Sequence, residues 1–139
     1  MAIHVHYQNV RFQIKDSAGI KRWLTSAVSE ECKIVGSIDF FFIDDDNQRI
    51  INSEFLEHHY NTDVITFDYS ENRKVSGEIY IAIDTVRNNS ALLKTGFRRE
   101  YLRVMLHGVL HLIGYKDKSE EEIRKMRERE EYYLGKYGS

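Results

Sequence analysis

The sequence predicts an α+β fold, a small mixed β-sheet packed with helices, on three observations. Segments rich in β-formers alternate with segments whose apolar residues recur at helical spacing. Two strand-like segments follow each other across a short polar connection, and one strongly apolar helix near the C-terminal end has no clean polar face, which marks it as central. A single domain over 1–139 is expected, since 139 residues suffice for one core and fall short of two ordinary ones.

Residues 3–8 (IHVHYQ) alternate apolar and polar as a strand does. From Ser17 to Cys32, residues Ile20, Trp23, Leu24, Ala27 and Val28 form one helical stripe. Residues 34–43 (IVGSIDFFFI) form a second strand, and the acidic DDDNQ after them suits the positive end of a helix starting near Asp45, with Ile50, Ile51 and Phe55 turned inward. Residues 63–69 (DVITFDY) and 78–83 (EIYIAI) predict antiparallel neighbours joined by a hairpin-like segment containing Asn72 and Gly77. The pattern is helical from Asp84, breaks near Thr95 and Gly96, and resumes as the central helix from about Arg98 to Ile113. Ser119 and Glu122 form a capping box for a last helix that packs through Ile123, Met126 and Leu134. Phe40, Phe41, Phe42, Phe67 and Tyr69 read as core residues of their strands, and Cys32 as a packing residue.

A net charge of -2 excludes a global basic field, so an RNA partner would be held by a local patch. The lone Cys32 excludes an internal disulfide, the N-terminal residues lack a secretion signal, and no apolar run approaches eighteen residues. A soluble cytoplasmic protein without a membrane partner is expected.

The chemistry concentrates in HGVLHLIGYKD, residues 107–117. Four residues apart on a helix, His107 and His111 share a face and can aim their imidazoles at one point. Gly114 can end the helix in a left-handed conformation and return Asp117 towards that point. The layout is that of metzincin zinc sites, with Gly108 where their glutamate base would stand. Two histidines set among Val104, Met105, Leu106, Val109, Leu110, Leu112 and Ile113 would be costly to bury unpaired, which favours a metal over a bland polar pair. Three ligands, His107, His111 and Asp117, leave a fourth position open, as catalytic zinc sites do. One divalent metal, zinc, is the cofactor expected.

HGVLHLIGYKD closely resembles the HGxLHLxGYDH signature of the YbeY family of metal-dependent endoribonucleases. INSEFLEHHYNTDVITF is similar to that family's LNxxYRxxDxPTDVLSF, and GEIYIAI to its GDIxIs strand, so the likeness covers most of the chain. The resemblance implies a mixed sheet surrounded by helices, a zinc-type site and single-stranded RNA as substrate. It also implies work on the ribosome small subunit, at the 3′ end of the 16S rRNA and in quality control, with a ribosomal protein or an assembly GTPase as protein partner. Three departures from the signature matter, the first spanning two positions. Asp117 takes the place of the third histidine and Lys116 that of the aspartate before it. Leu56 replaces an arginine thought to engage phosphate, and Asn61 replaces a proline.

Asp63 and Glu78 are the carboxylates available as general base, with a turn residue and a strand-edge charge as their alternative readings. The nucleophile is left open between water and the RNA's own 2′-hydroxyl. Lys94, Arg98, Arg99 and Arg103 cluster just ahead of the histidines as a candidate basic patch, with a solvated helix face near Glu100 as the alternative reading, favoured for Arg103, and Lys116 is a candidate for the missing arginine's charge. His4, His6, His58 and His59 read as polar surface. Two other readings compete: a ribosome-assembly binding factor with a structural metal, which Leu56 favours, and a metallopeptidase, which Gly108 disfavours.

Overall fold

The computed structural model describes residues 2–56 and 62–137, residues 54–56 by their backbone alone. The expectations placed on the side chains of Phe55 and Leu56 and on His58, His59 and Asn61 therefore lie outside the described residues. The elements run β1 (Ala2–Gln8), α1 (Ser17–Glu30), β2 (Ile34–Ile43), α2 (Asp45–Leu56), β3 (Val64–Asp68), β4 (Lys74–Ala82), α3 (Ile83–Leu93), α4 (Phe97–Ile113) and α5 (Glu120–Leu134). The sheet order is β1-β2-β4-β3. Strands β1, β2 and β4 are parallel and β3 pairs antiparallel with β4, giving the mixed α+β architecture the sequence predicts.

Strand pleating sorts the sheet into two faces. Ile38, Phe40 and Phe42 of β2 and Ile79 and Ile81 of β4 are fully buried, packed in one cluster with Leu24 and Val28 of α1 and Met105 and Val109 of α4. Helix α4 contacts α1, α3, α5, β3 and β4, which explains its lack of a polar face. Each fully buried side chain such as Met105, Leu106 or Leu110 contributes about 1.5–3 kcal/mol of transfer free energy. Helix α5 is tied to α1 where Trp23 Nε1–H donates to the Tyr133 carbonyl over 2.7 Å. Its Ser119/Glu122 capping box forms as expected.

Several expectations change. Phe41 and Phe67 are only partly buried and Tyr69 is 58% exposed. They belong to the face turned away from α4, where the rings of His6, Phe41 and Tyr80 stack at 4.6 Å centroid spacing. Strand β4 begins at Lys74, and Gly77 lies inside it. The early start follows from pairing with the long β2, with Asn72 at φ 55° turning the chain between Glu71 and Lys74. Helix α1 ends at Glu30, and Cys32, left-handed at φ 63°, is exposed instead of packed. Among the described residues no helix is long and apolar enough to cross a membrane.

Candidate metal centre

One contact sets the direction of α4. A Cβ on Gly108 would stand 2.7 Å from Ile79 Cγ2, so the helix rests on β4 at this residue. With Gly108 against the sheet, the neighbouring stripe of Arg103, His107 and His111 faces α5 and the chain beyond the helix. Gly114 then closes the helix at φ 129°, a conformation L side chains rarely adopt, while Leu110 O accepts from the N–H groups of Gly114 and Tyr115. The chain turns back and brings in Asp117.

His107, His111 and Asp117 each offer a ligand atom, and these atoms lie within 4.8 Å of one another. His107 Nε2 and His111 Nε2 are 3.0 Å apart, and Asp117 Oδ2 is 3.3 Å from the first and 3.2 Å from the second. Each imidazole is anchored by its other nitrogen. His107 Nδ1–H donates to Glu130 Oε2 over 2.6 Å, and His111 Nδ1–H donates to the Tyr115 carbonyl over 3.0 Å. Those partners accept, so each neutral ring carries its lone pair on Nε2. Two lone pairs and a carboxylate oxygen thus converge without a donor among them, an arrangement that calls for a cation at the centre. A tetrahedral zinc-type site with bonds of about 2.0–2.2 Å spaces its donors about 3.4 Å apart, close to what is seen. The donor set fits a divalent metal. The His107, His111 and Asp117 side chains are 16%, 23% and 39% exposed, so the point of convergence is open to solvent on the Asp117 side.

The family model described as Endoribonuclease YbeY matches residues 3–138. The chain belongs to this family. An Endoribonuclease YbeY of Flavobacterium psychrophilum is 42% identical over 125 residues, covering 90% of this chain and 89% of that one. The Chlorobium phaeovibrioides Endoribonuclease YbeY is 42% identical over 134 residues, covering 96% and 89%. The solution structure of TM1509 from Thermotoga maritima superposes with a TM-score of 0.65 at 27% identity, covering 97% of this chain and 91% of that one.

In this YbeY-family chain a buried ionic cluster backs the histidines. Arg103 donates from Nη2 and Nε to both oxygens of Glu100, at 2.7 and 3.1 Å, and from Nη1 to Glu130 Oε1 at 3.2 Å. Asp63 Oδ2 lies 4.0 Å from Arg103 Nη2. Burial pushes the Asp63 carboxyl above its ordinary value, against the opposing charge of Arg103. Burial also pushes Glu130 upward, but the His107 hydrogen bond and the Arg103 charge outweigh it and hold that carboxyl below the usual range. Glu100, by hydrogen bond, holds the Arg103 guanidinium firmly charged.

The other expected YbeY-site residues fare differently. Glu78 is not brought to the histidines. Its strand neighbours Gly77 and Ile79 face Leu112 and Gly108 of α4, so the pleat turns Glu78 to the opposite face, where it accepts from the hydroxyls of Tyr69 and Tyr80. The basic patch ahead of the histidines is largely committed internally. Arg98 donates to the Lys15 carbonyl and to the Tyr101 and Tyr137 hydroxyls, Arg99 pairs with Glu131, and Arg103 is the hub just described. Lys94, which caps α3, and Lys116 are exposed. His6 pairs with Asp39 at 2.9 Å, and His4 is exposed. Sequence reasoning missed Glu130 and the Tyr115 carbonyl. Glu130 was detectable in principle, since it shares the helical stripe of Met126, Tyr133 and Leu134 and is buried with them.

Proposed function

We propose that this chain is a metal-dependent endoribonuclease that cuts single-stranded RNA, with His107, His111 and Asp117 as ligands of one zinc ion. The convergence of three acceptor atoms at a solvent-open point carries the reading, and the endoribonuclease names of relatives over nearly the whole chain support it. Bound there, a divalent ion supplies Lewis acidity and positive charge for a phosphodiester.

The protein's own groups do the rest. Glu130 and the Tyr115 carbonyl orient the two imidazoles. Asp117 adds negative charge to the donor set. Asp63, its carboxyl pushed up by burial and placed beside the residue one turn before His107, accepts the proton of the attacking hydroxyl or water. Gly108 offers no group for that task. Lys116, exposed beside Asp117, meets substrate phosphate. The proposed substrate in the cell is the 3′ end of the small-subunit rRNA, in the cytoplasm, with a ribosomal protein or assembly GTPase as partner. Family membership supports that placement.

The test is cleavage of an end-labelled single-stranded RNA by wild type and by His111→Ala, purified identically, with chelator and with added zinc. The expected result is cleavage by the wild type alone, abolished by chelator and restored by zinc. Equal cleavage by both proteins, or none by either with zinc present, would overturn the reading and bring forward an RNA-binding assembly factor.

A further inference from the structure

Glu130 is the most deeply buried carboxylate to touch a proposed ligand, with 3% of its surface exposed. It occupies the core-facing stripe of α5 between Met126 and Tyr133, where an apolar residue would pack without desolvating a charge. Its pairing with Arg103 accounts for one of its two oxygens. Both of its oxygens are used: Oε1 accepts from Arg103 Nη1 at 3.2 Å and Oε2 accepts from His107 Nδ1–H at 2.6 Å. Arg103 is in turn gripped through two bonds by Glu100, itself 2% exposed. Glu130 Oε2 is therefore held at the back of the His107 ring, at the nitrogen opposite the one that faces the point of convergence.

We propose that Glu130, held in place by Arg103, is a positioning residue of the metal centre: it fixes His107 in the tautomer whose Nε2 lone pair faces the ion and strengthens that nitrogen as a donor. The proposal rests on the reading of His107, His111 and Asp117 as ligands. The long reach of the contact explains its use of α5. That helix is capped at Ser119 and pinned through Tyr133 to Trp23, so the carboxylate is presented from a fixed scaffold. Carboxylates behind ligating histidines commonly change metal affinity about 10–100-fold when removed.

The experiment measures zinc affinity by competition with a chromogenic chelator, and the visible spectrum of the cobalt(II) form, for wild type, Glu130→Leu, Glu130→Gln and His107→Ala. Thermal midpoints in chelator report folding independently. Glu130→Leu is expected to hold its midpoint and bind zinc about 10–100-fold more weakly. Glu130→Gln keeps an acceptor but loses the charge, so its loss is expected to be smaller, about 3–10-fold, with a cobalt spectrum closer to wild type. Should Glu130→Leu fail to fold, the near-isosteric Gln variant carries the test. Wild-type zinc affinity in the Gln variant, or in a folded Leu variant, overturns the proposal provided His107→Ala loses zinc. Undiminished binding by His107→Ala would instead overturn the ligand assignment itself, so the two failures are told apart.

Discussion

Gly108 of α4 meets Ile79 of β4 with no room for a side chain: a Cβ at 108 would lie 2.7 Å from Ile79 Cγ2 and 2.9 Å from its Cδ1. The position that holds a base in metzincin-like motifs is here the contact between the central helix and the sheet. Gly108→Glu, which would complete an HExxH motif, is therefore expected to create no peptidase. It should force bulk and a charge into the core and cost more than about 3 kcal/mol. Denaturant unfolding checks this, and a variant as stable as wild type would contradict the packing.

Asp117 makes the proposed ligand set anionic where three histidines would be neutral. A less anionic donor set leaves the ion a stronger acidifier of water. Asp117→His is expected to retain zinc and to move the alkaline rise of the cleavage rate towards lower pH, by on the order of one unit. A pH–rate profile under saturating zinc reads this, and an unmoved profile would separate Asp117 from the ion.

Asp63 is the one carboxylate predicted from sequence as a base that lies beside the histidine stripe. Asp63→Asn should lower kcat by about 100-fold, the usual scale of general base catalysis, while zinc affinity stays within about threefold. Wild-type turnover would remove Asp63 from the mechanism.

The α5 cap gives a stability prediction with a defined pH sign. The Glu122 carboxyl is held below its ordinary value of 4.5 chiefly by the Ser119 backbone N–H. A depressed folded-state value means that the stabilisation is complete above the unfolded value and disappears as pH falls through the folded one. Glu122→Gln should thus flatten the loss of stability below pH 4.5 and change little near neutrality. Ser119→Ala should cost about 1 kcal/mol at neutral pH. Thermal melts between acid and neutral pH test both.

Lys116, exposed beside Asp117, is expected to act through charge alone. Lys116→Ala should weaken RNA binding more at low salt than at high salt, reducing the salt dependence by about one counterion. Equal loss at both would point to a non-electrostatic role.

Legibility in the sequence followed the range of the interactions. His107, His111, Gly114 and Asp117 lie within one helix and its turn, so spacing alone brings them together, and the resemblance to the YbeY signature rests on the same residues. The strand and helix order was equally local, apart from the start of β4, which depends on the neighbouring β2. Glu78, a candidate base by sequence, shares a segment with buried Ile79, and only strand parity separates their faces. Arg98 and Arg99 read as candidates for a basic patch because their partners Tyr137 and Glu131 lie in a part of the chain that only folding brings near, whereas the Glu100 partner of Arg103 is local and its second partner Glu130 is not. Glu130 was hidden among the similar glutamates of α5, where nothing but its alignment with Met126 and Tyr133 marks it.

All three proposed donors fall within eleven consecutive residues, 107–117, on a rigid helix end and one turn. Holding them together closes only a very short loop, so little chain entropy is at stake when the site fills or empties. On the proposed ligand assignment, exchange of the ion would require only this short segment to rearrange, and not the unfolding of the chain. Ion exchange and unfolding are on that assignment separate events, the one set by the turn after Gly114 and the other by the core beneath it.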